Sequence, residues 1–159
     1  MTSRHASARS WSFLVPLPVQ GLGQNARVHW AAKNRAVDAY RREVVLEVLG
    51  LTDRPWEPLD RVRVTLVARY QGTRGPSFAK TSTPEEIRAL ERYRPTDADN
   101  LIAACKPLID ALCVGADYEL SACLVAGDKA KNVELATPRF ETVSTWAEEG
   151  VFVTVEELE

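Results

Sequence analysis

The order of apolar and polar positions predicts alternating strands and helices along the chain. Residues 62–70 alternate strictly, with Val62, Val64 and Leu66 on one side of a predicted strand. In residues 33–49 the apolar side chains recur every three or four positions, which predicts a helix that ends at Gly50. The same reasoning predicts strands at 11–17, 120–126 and 151–155, a helix at 99–112, and irregular structure at 129–145.

This order of elements predicts an α+β domain, in which a small mixed β-sheet of about four strands is packed by two main α-helices. A length of 159 residues suits one domain over residues 1–159. We expect residues 1–10 to be flexible and residues 71–95 to form an insertion loop. Thr83 opens a capping-box pattern that predicts a short helix to about Glu91. The insertion is either a mobile flap or a decorated loop.

Composition excludes disordered, fibrous and membrane-spanning proteins. The chain is 45% apolar and 26% charged, and no apolar run approaches the roughly 18 residues that span a bilayer. The N-terminal residues lack the apolar stretch of a secretory signal. Cys105, Cys113 and Cys123 are odd in number and lack ligand spacing. They are therefore predicted to be buried, reduced thiols in a cytoplasmic protein.

The net charge of −2 is unevenly spread along the chain. Residues 1–56 carry eight Lys and Arg against four Asp and Glu, whereas residues 101–159 carry four against eleven. A polyanionic partner would therefore meet the N-terminal half, while the C-terminal half supplies acids.

An acidic motif lies at the predicted start of the helix at 99–112. Asp97 and Asp99 are two residues apart, and Asp117 follows the helix after a short turn. At 100° per residue, Lys106 and Asp110 fall within about 40° of Asp99 on one helix face. Magnesium prefers oxygen ligands, and a metal-bound water with a nearby lysine is suited to phosphodiester hydrolysis. The pattern therefore fits a divalent-metal site.

Ordinary structural roles explain each of these residues equally well. Asp99 is a good N-cap, Asp97 can form an Asx turn, and Asp110 can pair with Lys106 one helical turn away. Asp117 can be a loop residue before a strand. From the residues alone both explanations stay open. Pro107, on the same helix, predicts a kink because its nitrogen cannot donate a hydrogen bond.

The acidic motif resembles the RusA family of Holliday-junction resolvases, and most of all its phage and prophage relatives. The specific similarity lies in Thr96–Leu101, in Lys106–Leu112 and at Asp117. Weaker similarity covers Asn25–Trp30 and Gly150–Val155.

The resemblance implies a homodimeric, magnesium-dependent endonuclease that cuts opposed strands of a four-way DNA junction, with Mn²⁺ as a possible substitute metal. It assigns Asp97, Asp99 and Asp117 as metal ligands and Lys106 as a catalytic lysine. The chain departs from the family pattern at Lys106, which lies two helical turns past Asp99, and at Ala116, which replaces a second acid. The proposed DNA-binding residues are Arg27, His29, Lys33, Arg35, Arg41, Arg42, Lys129 and Lys131.

Two other functions compete with the nuclease. A protein of the same fold with a weakened site would bind branched DNA without cutting it, and Ala116 favours this alternative. A metal-dependent phosphatase would need its acidic motif at the end of an apolar strand, which residues 92–96 do not form. His29 is either a DNA contact or a loop histidine packed against Trp30.

Overall fold

The structure is a computed structural model that describes residues 8–19, 29–71, 92 and 94–159. The predicted capping box and short helix of the insertion lie outside these residues, as does Arg27. No helix of the described ranges is long and apolar enough to span a membrane.

In the part of the chain that the structure describes, five strands form one mixed β-sheet, which confirms the predicted α+β class. The strands are β1 (Ser10–Val15), β2 (Val62–Gln71), β3 (Val133–Leu135), β4 (Arg139–Val143) and β5 (Gly150–Glu157). The central strand β5 pairs antiparallel with both β1 and β2, and β2 pairs parallel with β3 and then with β4 along its other edge. Since β3 and β4 share one edge, the sheet is four strands wide at any level.

The helices pack on one face of this sheet. They are α1 (Trp30–Leu49), α2 (Ala98–Ala104) and α3 (Lys106–Leu112), with a short 3-10 helix at Trp146–Glu148. The apolar stripe of α1 buries Tyr40, Val44 and Val48 against β1 and α3. The core therefore lies between the helices and the inward side chains of β1, β2 and β5.

The predicted kink at Pro107 is a full interruption. Helix α2 ends at Ala104 and α3 begins at Lys106, with Cys105 between them in a non-helical turn. Pro107 therefore occupies the first turn of α3, where its missing N–H removes no helical hydrogen bond. The predicted helix 99–112 is thus two helices. The predicted helix face that joins Asp99 to Lys106 and Asp110 therefore extends across the break between them.

Two other predictions from periodicity are wrong. Residues 120–126 form no strand, because Ala122 and Leu124 donate hydrogen bonds to carbonyls at the end of α3 and Cys123 has a positive φ of 53°. Residues 129–145 are not irregular, because they contain β3 and β4. Both strands are short and mostly exposed, so their sequences lack the apolar alternation that would have indicated them.

One glycine is required where β1 meets β5. Gly150 has a φ of 155°, and a Cβ there would lie 2.4 Å from the carbonyl oxygen of Val15. The start of β5 is therefore fixed by backbone contact with the end of β1.

The three cysteines are free and buried, as predicted. Burial raises the pKa of Cys105 to about 12 and that of Cys113 to about 12. Both thiols are therefore protonated at neutral pH.

Candidate functional site

The acid pair lies at the start of α2, and its first member caps the helix. Asp97 is the N-cap residue, where one carboxylate oxygen accepts a hydrogen bond from the Asn100 backbone at 2.9 Å and the other from the Asn100 side chain at 2.6 Å. The prediction that Asp99 is the cap is wrong, because Asp97 has the extended backbone that a cap needs and Asp99 already lies in the first helical turn.

The carboxylates of Asp97 and Asp99 differ in their hydrogen bonds to other residues of the protein. The hydrogen bonds from the backbone and side chain of Asn100 lower the pKa of Asp97 below its ordinary value. The Asp99 side chain is exposed and has no hydrogen bond or ion pair with any residue that the structure describes. At neutral pH the start of α2 therefore presents an exposed carboxylate next to a capping one, where the helix dipole favours negative charge.

Two contacts from the sheet hold the segment that leads into α2. The Tyr70 hydroxyl at the end of β2 donates to the Pro95 carbonyl at 2.6 Å. The Arg94 guanidinium bonds to Glu149 at 2.7 Å, and the Glu149 side chain is only 3% exposed. The acid pair is thus tied to the end of β2 and to the residue before β5.

Asp117 is placed in a separate exposed turn after α3. Its carboxylate accepts from the Glu119 backbone at 2.9 Å, which closes an Asx turn. Arg41 and Arg54 hold this turn against α1 by donating to the carbonyls of Leu120, at 3.1 Å, and Tyr118, at 2.6 Å.

The structure does not bring the three predicted metal ligands together. Within the described ranges, no three or more His, Cys, Asp or Glu side chains form a group that could hold a metal ion. The donors of the acid pair nevertheless suit magnesium, which is commonly bound through one or two carboxylates while keeping several waters. Asp97 and Asp99 are therefore ligands of the kind that the expected cation prefers, and among the described residues Asp117 is not grouped with them.

Lys106 lies at the start of α3 between two carboxylates. Its ammonium bonds to Asp110 one helical turn away and to Asp128 at 2.8 Å. Burial alone would lower the pKa of Lys106, but the hydrogen bonds to Asp110 and Asp128 outweigh it, so the pKa is raised. Lys106 in turn lowers the pKa of Asp128. We define Lys106, Asp110 and Asp128 as the lysine cluster.

The predicted DNA-binding residues fall into two groups. Lys33, Arg35, Lys129 and Lys131 are exposed. Arg41, Arg42 and His29, in contrast, have partners in the fold: Arg41 holds the Asp117 turn, Arg42 pairs with Glu119 at 3.6 Å, and His29 caps α1 through Nδ1. The His29 ring also lies 5.7 Å from the Trp30 ring, as the packing interpretation of His29 predicts.

Sequence reasoning missed three residues that shape this region. Asp128 lies 22 positions from Lys106, so no helical periodicity connects them. Arg94 and Glu149 are 55 positions apart and meet only because β5 runs beside β2. The only signal in the sequence was Arg94, three positions before Asp97.

Comparison of this chain with protein-family models, with curated proteins and with solved structures finds no match.

Proposed function

We propose that this protein is a magnesium-dependent, structure-selective DNA endonuclease that resolves four-way junctions, as its resemblance to the RusA family implies. In this proposal it acts in the cytoplasm as a homodimer. The observation that carries the proposal is the exposed pair Asp97 and Asp99 on a helix start that the sheet holds in place. Exposed acids on a fixed support can meet a cation and a phosphate together without first reorganising the fold.

The roles of the residues follow from their surroundings. Asp97 and Asp99 would hold Mg²⁺, or Mn²⁺ in its place, and the bound ion would supply an activated water and shield phosphate charge. In such a hydrolysis a water oxygen would bond to phosphorus while the bond to the 3′ oxygen breaks and that oxygen takes up a proton, which would leave a 5′-phosphate and a 3′-hydroxyl. Lys33, Arg35, Lys129 and Lys131 are exposed cations that can contact the phosphate backbone.

In this proposal Lys106 acts as a cation. Its raised pKa keeps the ammonium protonated at neutral pH, so it can stabilise negative charge but cannot serve as a general base. Asp110 and Asp128 fix its position. Its contribution at a phosphate therefore depends on how far DNA competes with these two acids.

A protein that binds junctions without cutting them is the second candidate. The observation in its favour is that Asp117 forms its own Asx turn and is not grouped with Asp97 and Asp99 among the described residues. Two carboxylates hold a metal more weakly than three, so this site would bind DNA while cleaving slowly or not at all.

Cleavage of a labelled four-way junction decides between the two candidates. The nuclease is expected to nick opposed strands symmetrically when magnesium is added, and to leave a linear duplex of the same sequence intact. Binding in a gel-shift assay with no nicking at any magnesium or manganese concentration would favour the second candidate and exclude the first. Weak binding to both DNAs would contradict both.

A further inference from the structure

An open apolar groove lies between the C-terminal half of α1 and the Asp117 turn. Its volume is about 410 Å³, within the roughly 300–1,000 Å³ typical of ligand sites. Val45, Leu46 and Leu49 form an apolar floor on α1, and Tyr118 forms the opposite wall. For a monomer, the exposure of this apolar surface to water is unfavourable, and such patches often mark a binding site.

Two arginines fix the shape of this groove. The Arg54 guanidinium lies 5.1 Å from the centre of the Tyr118 ring, and it donates to the carbonyls of Tyr118 and Ser121. Arg42 pairs with Glu119 on the same wall. These contacts hold Tyr118 and Glu119 in place beside α1, so the groove is formed before any partner binds, which lowers the entropic cost of filling it.

A fully exposed tryptophan follows the groove residue Arg54 by two positions. Trp56 is 99% exposed, Leu46 is 72% exposed and Tyr118 is 66% exposed. Pro55 directly precedes Trp56, and Pro58 follows two residues later. Their rings restrict the backbone around Trp56, so less backbone entropy is lost when the indole binds. Tryptophan is the residue type most enriched among side chains that dominate binding at protein interfaces.

We propose that the groove accepts Trp56 from a second copy of this chain. Arg54 lines the groove and is only two residues from Trp56, so the Trp56 backbone lies within about 7 Å of the Arg54 backbone. A twofold axis through that surface lets each protomer insert its tryptophan into the groove of the other. The proposed function also implies a homodimer, but this interface is argued from the groove and Trp56 alone.

Charge complementarity favours a second copy as the occupant. The groove lining carries Arg42, Arg54 and Glu119, a net charge of +1. Glu57 follows Trp56 directly, so an indole that enters the groove brings a carboxylate towards this positive lining. Arginine also stacks favourably on an indole face. Trp56 and Tyr118 of each partner, at about 150–250 Å² each, supply roughly half of the 800 Å² that a partner buries in a standard interface. Leu46 and Leu51 add further buried area.

Sedimentation equilibrium of the full-length protein, without DNA or metal, tests the proposal. We expect the wild type to be a dimer, and Trp56→Ala or Leu46→Glu to raise the dimer dissociation constant by roughly 30-fold or more, as for an interface hot spot. The matched controls are Trp30→Ala, which removes another exposed tryptophan at the other end of α1, and Asn34→Glu, which adds the same charge elsewhere on α1. Both controls should remain dimeric.

Mixing the two groove variants separates an interface from a folding defect. Trp56→Ala keeps an intact groove and Leu46→Glu keeps an intact tryptophan, so an equimolar mixture should regain dimer through the one contact that remains. A monomeric wild type at about 100 µM would overturn the proposal, as would variants that dimerise like the wild type or a mixture with no more dimer than its components. A monomeric wild type would also contradict the homodimer of the proposed function, whereas the variants and their mixture test this interface whether or not the protein cuts DNA.

Discussion

The start of α2 and the lysine cluster on α3 hold similar acids in opposite electrostatic states. At α2, Asp97 is satisfied by neutral hydrogen bonds from Asn100, and Asp99 has no cationic partner among the described residues. On α3, Asp110 and Asp128 share the ammonium of Lys106. Within the described ranges the acid pair therefore has no cation to offset its two carboxylates, whereas the lysine cluster keeps a smaller net charge of −1.

The interruption at Cys105 separates these two regions. Even on a continuous helix Asp99 and Lys106 would share a face but lie roughly 10 Å apart along the axis, beyond ion-pair distance. Lys106 bonds instead to Asp110 one turn along α3 and to Asp128 in the loop before β3. A break of one residue thus divides one predicted charged strip into two sites with different chemistry.

The largest expected effect comes from removing the support that both regions share. Leu108 on the buried side of α3 is fully inaccessible to solvent. Leu108→Ala should lower the free energy of unfolding by about 2–5 kcal/mol, because it leaves a cavity in the core. Urea denaturation measures the change, and Val114→Ala, at an exposed position outside the groove, is the control, expected to change stability little. Equal effects of the two substitutions would contradict the assigned packing.

The next largest effect, on the rate of junction cleavage, should distinguish the acids at the start of α2 from those of the lysine cluster. Asp99→Asn is expected to reduce junction cleavage at least about 100-fold, because a metal ion supplies several kcal/mol of charge stabilisation in such reactions. Junction binding should stay the same or tighten, because a negative charge near phosphate is removed. Single-turnover cleavage and gel-shift assays measure the two quantities.

Asp128→Asn is the matched control for Asp99→Asn. It makes the same chemical change in an exposed acid whose partner is Lys106. Its cleavage rate should fall far less than that of Asp99→Asn. If both variants cleave equally well, the role given to the start of α2 is wrong.

A smaller effect is expected from breaking the lysine cluster. Lys106→Met leaves Asp110 and Asp128 facing each other, so urea should unfold the variant at a lower concentration than the wild type. Exposed ion pairs contribute little and are screened by salt, so the difference should shrink at high ionic strength. A difference that is independent of salt would indicate lost packing rather than lost charge.

The smallest effect is expected on folding stability at low pH. The pKa of Asp97 and that of Asp128 are lowered in the folded protein. Their stabilising contributions are therefore complete above the ordinary carboxyl pKa of about 3.9 and are lost as the pH falls through the lower folded-state values. Asp97→Asn keeps a good N-cap, so its urea midpoint should fall less steeply than that of the wild type below about pH 4. An identical pH profile would contradict the lowered pKa.

The sequence predicts the parts of this protein that local periodicity determines. The strand at Val62–Gln71 and the stripe of α1 each carry a repeat that only one kind of element satisfies. The edge strand β4 lacks such a repeat because its residues are mostly exposed, and it forms through pairing with β2. The acid pair was evident from the sequence, but its isolation from Asp117 and the bond from Lys106 to Asp128 depend on tertiary contacts.

Manganese binding tests most directly the central claim that the start of α2, and not the lysine cluster, is the cation site. Titration of the wild type with Mn²⁺, followed by the loss of the free-ion electron paramagnetic resonance signal, should give saturable binding. The double variant Asp97→Asn, Asp99→Asn should lose this binding, whereas Asp110→Asn, Asp128→Asn should retain it. Binding that survives the first pair of substitutions and disappears with the second would contradict the account.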